Sequence, residues 1–149
     1  LNLNESWDDR FLSLASVVAT WSKDPSTKVG AVIVDPFRRI ISTGYNGFPA
    51  KIADDSRYDI REEKLEMIIH GEINAILFAK RDLTDCTLYT VPFMPCSRCA
   101  AIIIQTGIKR VVAPSHTGIE QHTRWEKSFE RSLALFGEAG VRVDLLTVC

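Results

Sequence analysis

The sequence lacks most features that place a chain in a special class. It holds no apolar run near the ~18 residues needed to cross a bilayer. Its start, Leu1-Asn-Leu-Asn-Glu-Ser6, has neither the basic nor the apolar part of a secretory leader. The expected location is therefore cytoplasmic, with no membrane partner. Charge of neither sign dominates: 18 Lys and Arg stand against 19 Asp and Glu, for a net charge of −1. That excludes the broad basic field of a nonspecific nucleic-acid binder, so no nucleic-acid partner is expected, while a small anion can still meet a local cationic pocket. Cysteine is scarce at 4 and histidine at 3, and neither occurs before His70. So few cysteines in a reducing compartment do not read as a disulfide scaffold. No repeat or linker-like stretch interrupts the chain. Its 149 residues, 46% of them hydrophobic, are expected to form a single domain, 1–149, with a sizeable core.

The few metal-binding side chains present are grouped. His70-Gly71-Glu72 is followed, 23 residues beyond Glu72, by Pro95-Cys96-Ser97-Arg98-Cys99. One imidazole and two thiolates make three corners of a zinc tetrahedron, and three protein ligands with an open fourth position is the catalytic pattern, where structural sites are closed by four. Cys96 and Cys99 are spaced to share one side of a helix. Pro95 suits the opening of that helix, and the run from Cys99 to Gln105, stopped by Gly107, reads as short and buried. The thiolates then sit at its positive end, which favours anionic sulfur. His70 likewise begins a helical run reaching Lys80, with Ile73, Ile76, Leu77 and Lys80 at helical spacing. Glu72, two residues along, points away from His70 and so suits proton transfer rather than ligation. A second reading keeps the zinc structural, with Cys86, His116 or His122 as fourth ligand, and makes the chain a binding module. Otherwise Cys86 and Cys149 are free thiols.

Around these motifs the elements alternate. Trp7, Phe11, Leu14, Ala15 and Val18 give an amphipathic helix from Asn4, its cap, to about Ser22. Val29–Val34 and Arg39–Thr43 read as strands joined by the turn Asp35-Pro-Phe-Arg38. A polar stretch from Gly44 to about Tyr58 is long enough to be functional, and Arg61–Met67 is either a helical turn or coil. Thr87–Val91, Lys109–Ala113 and Val141–Leu146 are strands, and Thr123–Phe136 is a helix. The order predicts an α/β fold: a three-layer, mixed five-stranded sheet with helices on both faces. Right-handed crossovers make the last three strands parallel and leave only the first pair antiparallel.

The pairing of H-x-E with P-C-x-x-C is the signature of zinc-dependent nucleobase deaminases. The chain resembles the cytidine deaminase superfamily, and within it the deoxycytidylate deaminases. The closer likeness is carried by Ser22-Lys-Asp-Pro, Val29-Gly-Ala-Val-Ile-Val, Ser42-Thr-Gly-Tyr-Asn-Gly-Phe-Pro, His70-Gly-Glu-Ile-Asn-Ala-Ile and Pro95-Cys-Ser-Arg-Cys. The resemblance implies hydrolysis of deoxycytidylate (dCMP) to deoxyuridylate (dUMP) and ammonia in pyrimidine deoxynucleotide biosynthesis. It implies one catalytic zinc on His70, Cys96 and Cys99, with Glu72 carrying protons. It places Asn46 on the sugar and Lys23, with Ser22 and His116, on the 5′-phosphate. It also implies a homohexamer, activated by dCTP and inhibited by dTTP, held with magnesium at Gly44, Tyr45, Asn46, Gly47 and Phe48. There the two glycines would let backbone approach a ligand and the two aromatic rings would supply stacking surface. Gly71 stands where the family more often has alanine, a loss of about 0.5–1 kcal/mol in helix propensity. Neighbouring branches act on cytidine nucleosides or edit transfer RNA, and a substrate panel separates them.

Overall fold

The computed structural model describes residues 5–115 and 122–147, with residues 122–124 as backbone alone. Helix α1, Trp7–Ala19, starts from a capping box in which Ser6 Oγ accepts from the Asp9 amide at 3.1 Å and the Asp9 carboxylate accepts from the Ser6 amide at 3.3 Å. Ser6 is therefore the cap expected at Asn4, which lies outside the described residues. Strands β1, Gly30–Val34, and β2, Ile40–Tyr45, form the predicted hairpin. Asp35 fixes the turn by accepting the amides of Phe37 and Arg39, each at 2.9 Å. A 3₁₀ turn at Ser56–Asp59 leads into α2, Arg61–Met67, so this segment is helix rather than coil. Then follow α3, Gly71–Ala79; β3, Thr87–Val91; α4, Ser97–Gln105; β4, Arg110–Pro114; α5, His122–Ala139; and β5, Arg142–Leu146.

The five strands lie in the order β2-β1-β3-β4-β5. The last three are parallel, as expected from the helices that connect them. The first pair is antiparallel, but it is not alone in that: β1 also pairs antiparallel with β3, with Val32 opposite Tyr89. The hairpin enters the sheet by its first strand, so β2 becomes an edge and β1 is fully buried.

Alternation along the strands sorts the core into two layers. Val32 and Val34 of β1, Tyr89 and Val91 of β3 and Val112 of β4 face α1, against Phe11, Leu12, Ala15 and Ala19. Ala31, Ile33, Leu88, Val111 and Ala113 face the other way, against Ala75, Ile103, Phe129 and Phe136 of α3, α4 and α5. One helix thus covers one face and three cover the other. Glycine sets two close approaches. A Cβ on Gly30 would stand 2.1 Å from Ala15 O of α1, and one on Gly44 would stand 2.3 Å from Ala75 N and 2.4 Å from Gly71 O of α3. Because α3 lies so tightly on β2, its N-terminus is held over the sheet beside the start of α4. Among the described residues no helix is long and apolar enough to cross a membrane.

Candidate active site

His70 and Cys96 are the N-cap residues of α3 and α4, each in extended backbone, and neither side chain bonds an amide of its helix. Cys99 follows in the first turn of α4. The two helix starts meet, and one donor atom from each of His70, Cys96 and Cys99 lies within 4.8 Å of the others. His70 Nδ1 is 3.2 Å from Cys99 Sγ and 3.6 Å from Cys96 Sγ. Zinc bonds of about 2.1 Å to nitrogen and 2.3 Å to sulfur place ligands roughly 3.5 Å apart on a tetrahedron, close to the two spacings between His70 and the sulfurs. The three groups are also linked by hydrogen bonds, and a zinc ion held there would ionise both thiols and keep the imidazole neutral. A hydrogen bond from Cys99, against the opposing effect of burial, pulls the Cys96 thiol down to about 4. The same bond raises Cys99, whose proton it uses. The contact with Cys96 raises His70.

Glu72 is 5% exposed. Burial pushes its carboxyl above the usual carboxylate range, with His70 pulling the other way. Thr90 of β3, fully buried, donates to Glu72 Oε1 at 3.3 Å and fixes the side chain. A Cβ on Gly71 would stand 3.2 Å from Val29 Cγ1, so the glycine at this position matches a closely packed neighbour.

Glu72, His70 and Cys96 face one pocket together with Asn46. Asn46 belongs to the turn after β2. Its Oδ1 accepts from the Val29 amide at 2.8 Å, while Nδ2 donates to Thr27 O at 2.8 Å and Asp24 Oδ2 at 3.4 Å. Asn46 is therefore set in place before any ligand arrives. Ser22, expected at a phosphate, is 2% exposed, donates to Asn46 O at 2.9 Å and accepts from the Asp24 amide at 3.2 Å. It shapes the loop and does not line the pocket. Lys23 does not line it either: its ammonium pairs with Asp54 at 3.0 Å on a side chain 67% exposed. His116 lies outside the described residues, as does Cys149, and the side chain of His122 is likewise not described. Cys86 is buried in the core, away from the pocket lining.

The turn expected to bind effectors uses its special residues internally. Gly44 is the close approach to α3, and Gly47 exchanges backbone hydrogen bonds with Ile69 at 3.1 and 2.8 Å. Phe48 is stacked on Tyr58, with ring centroids 3.8 Å apart and planes 8° from parallel, and Tyr45 meets Trp21 edge-on.

Several lining residues were not foreseen from the sequence. Phe93 and Met94, just before Pro95, and Trp125 and Phe129 of α5 form an apolar wall, with Phe93 and Phe129 centroids 5.5 Å apart. From sequence, Trp125 and Phe129 at helical spacing read as ordinary core. Arg61 and Lys64 of α2 also line the pocket, and Lys64 reaches Asp24 Oδ1 at 3.1 Å with side chains 8% and 6% exposed.

Residues 5–115 match the family model described as the cytidine and deoxycytidylate deaminase zinc-binding region. The chain belongs to the cytidine and deoxycytidylate deaminase family. Within that family, an uncharacterized deaminase from the luxG 3′ region of Aliivibrio fischeri is 47% identical over 140 residues, or 94% of this chain and 93% of that protein. A probable deoxycytidylate deaminase of Drosophila melanogaster is 42% identical over 118 residues, 71% of this chain, which spans 58% of the insect protein. Among solved structures, the dCMP deaminase of cyanophage S-TIM5 shares the fold, with a TM-score of 0.72 at 20% identity over 93% of this chain and 96% of that one.

Proposed function

We propose that this deaminase hydrolyses deoxycytidylate to deoxyuridylate and ammonia, with one zinc held by His70, Cys96 and Cys99. The observation that carries the reading is the cluster of those three donors, two of which, His70 and Cys96, line one pocket together with the buried, Thr90-fixed carboxyl of Glu72. When bound, zinc supplies Lewis-acid activation of a water molecule. His70, Cys96 and Cys99 would supply three ligands, the number that leaves a catalytic zinc room for water. Glu72 is the proton carrier: its carboxylate oxygen takes one proton from water and passes it to ring N3, then takes the second from the hydroxyl left on C4 and delivers it to the departing amino group as the C4 carbonyl forms. Burial suits the role, because it raises the carboxyl above the usual carboxylate range and so makes it a stronger base. Asn46 Oδ1 keeps a lone pair for a sugar hydroxyl. Phe93, Trp125 and Phe129 enclose the base and exclude water.

The names of the Drosophila and cyanophage relatives support the nucleotide as substrate, and the net charge of −1 favours it over a transfer-RNA loop. Hexamer formation and control by dCTP and dTTP belong to the same reading. The support on this chain is that Asn46 sits both in the Gly44–Phe48 turn and in the pocket, so a shift of the turn moves a substrate contact. Titrating each triphosphate against sub-saturating substrate while following oligomer mass tests that part.

The chemistry is tested with Glu72→Gln. The variant should keep one zinc per chain and lose at least a hundredfold in kcat, within the range that general acid–base catalysis supplies. Near-normal turnover by Glu72→Gln refutes the assignment, and turnover of an anticodon stem in preference to deoxycytidylate refutes the substrate.

A further inference from the structure

One wall of the pocket is a single face of α2. Arg61, Lys64, Leu65 and Ile68 all line it, and their spacing of three, four and seven residues from Arg61 is one helical stripe. The chain runs on from Ile68 through Ile69 to His70 and Glu72, so the stripe has the proposed reaction centre beyond its C-terminal end and Arg61 at the other. The wall is fixed at two points. Lys64 Nζ donates to Asp24 Oδ1 at 3.1 Å and Ser26 Oγ at 3.2 Å, and Ile69 is bridged to Gly47. The Lys64 charge is thereby matched by Asp24, in a pair almost wholly withdrawn from water. Arg61 differs. It is exposed at the rim, and among the described residues it makes no ion pair and no side-chain hydrogen bond. It is the lining cation whose charge is not already answered. Lys23, the other candidate among the described residues, is committed to Asp54 and lies off the pocket.

We infer that Arg61 is the specificity-determining residue that reads the anionic end of the substrate, taking the 5′-phosphate at the pocket rim while the Lys64–Asp24 pair holds its helix in position. The inference rests on the proposed deamination of a pyrimidine nucleotide. A guanidinium suits this task, because its planar fork of donors matches phosphate oxygens two at a time. A nucleotide also has the right polarity: its base enters toward Glu72, and its phosphate remains at the opposite end of the same wall. Deoxycytidine lacks the group that Arg61 meets and gains nothing from it.

The test compares deoxycytidylate with deoxycytidine on the zinc-loaded parent and on Arg61→Gln, Arg61→Lys and Lys23→Gln. The parent should prefer the nucleotide by about 10- to 150-fold in kcat/KM, the range of one charge-assisted contact. Arg61→Gln should lower the nucleotide value at least tenfold more than the nucleoside value, mainly through KM, with Arg61→Lys between the two. Lys23→Gln should move both substrates alike. The inference is overturned if the parent treats the substrates equally, if Arg61→Gln affects both equally, or if Lys23→Gln erases the preference instead. Calorimetric binding of both molecules to the Glu72→Gln protein, with and without Arg61→Gln, reads the same contact without turnover. Tight nucleotide binding that depends on Arg61, in an enzyme whose parent deaminates neither molecule, supports the phosphate contact and refutes the proposed reaction. Binding that does not depend on Arg61 refutes the contact.

Discussion

Replacing Gly44 by alanine tests whether the contact between β2 and α3 sets both stability and the position of the metal donors. The added Cβ would lie 2.3 Å from Ala75 N, 2.4 Å from Gly71 O and 2.9 Å from Ala75 Cα, where ordinary contact begins at 3.4 Å. Relief requires β2 and α3 to separate by about 1 Å, and close-packed interiors hold no such slack. All three obstructing atoms are backbone, so no side-chain rotation absorbs the clash. The cost belongs at the upper end of the overpacking range, about 3 kcal/mol. At about 2–4 °C per kcal/mol for a chain of this size, the midpoint should fall by about 6–12 °C. The same displacement carries His70, the N-cap of α3, away from Cys96 and Cys99, so zinc should also be lost to a chelator at lower concentration. Gly137→Ala is the matched control. It lies inside α5 with nothing within 4 Å of an added Cβ, so it should stabilise by about 0.5–1 kcal/mol. Differential scanning calorimetry of both variants checks this, and a Gly44→Ala protein that melts with the parent and retains zinc equally well refutes the reasoning.

Three further outcomes follow from the electrostatics. Asp24→Asn leaves the Lys64 ammonium buried without a counter-charge, so urea denaturation should show a loss of about 3–5 kcal/mol. At the other side of the sheet, the Arg110 guanidinium makes two bonds to Asp8, of 2.9 and 2.7 Å, and holds its carboxyl below the usual range, with the Tyr89 hydroxyl adding a third donor. A depressed carboxyl gives stability that is complete above the unfolded value near 4 and is lost as pH falls through the lower folded value. Both partners are partly exposed, so Asp8→Asn should cost only about 1 kcal/mol at pH 7, a difference that closes below about pH 4 in urea midpoints measured against pH. Removing zinc with a chelator should lower the thermal midpoint and abolish turnover, with recovery on adding zinc and none on adding magnesium, and Cys99→Ser should show the stripped behaviour from the outset.

The parts of the molecule legible in the sequence are those whose signals are local. His70, Cys96 and Cys99 could be grouped because their chemistry is rare in this chain and each lies at the start of a helix marked by its own periodicity. Strand and helix alternation likewise gave the sheet and its layers, because each face of β1 and β3 is sorted residue by residue. What the pattern could not supply were partners chosen through space. Nothing near Lys64 announces a carboxylate 40 residues earlier, and Thr90 reads as one more strand residue until β3 brings it under Glu72. The internal contacts of the Gly44–Phe48 turn were hidden for the same reason. Its aromatic rings and glycines look available in sequence, yet Tyr58, Trp21, Ile69 and α3 already occupy them. Placing β1 next to β3 also needed the long-range pairing, since hairpin strands give no sign of which one faces the rest of the sheet.

The two helix starts at the candidate site carry an evolutionary constraint. His70 and Cys96 stand where serine, threonine, aspartate or asparagine would cap the first turn, a replacement worth about 0.5–2 kcal/mol in an ordinary helix. Here the most accessible stabilising mutations of α3 and α4 fall on two positions that the proposed zinc site cannot surrender. Selection for a sturdier chain and selection for a working centre therefore act in opposition at positions 70 and 96, and gains in stability must come from elsewhere, as at Gly137 on α5.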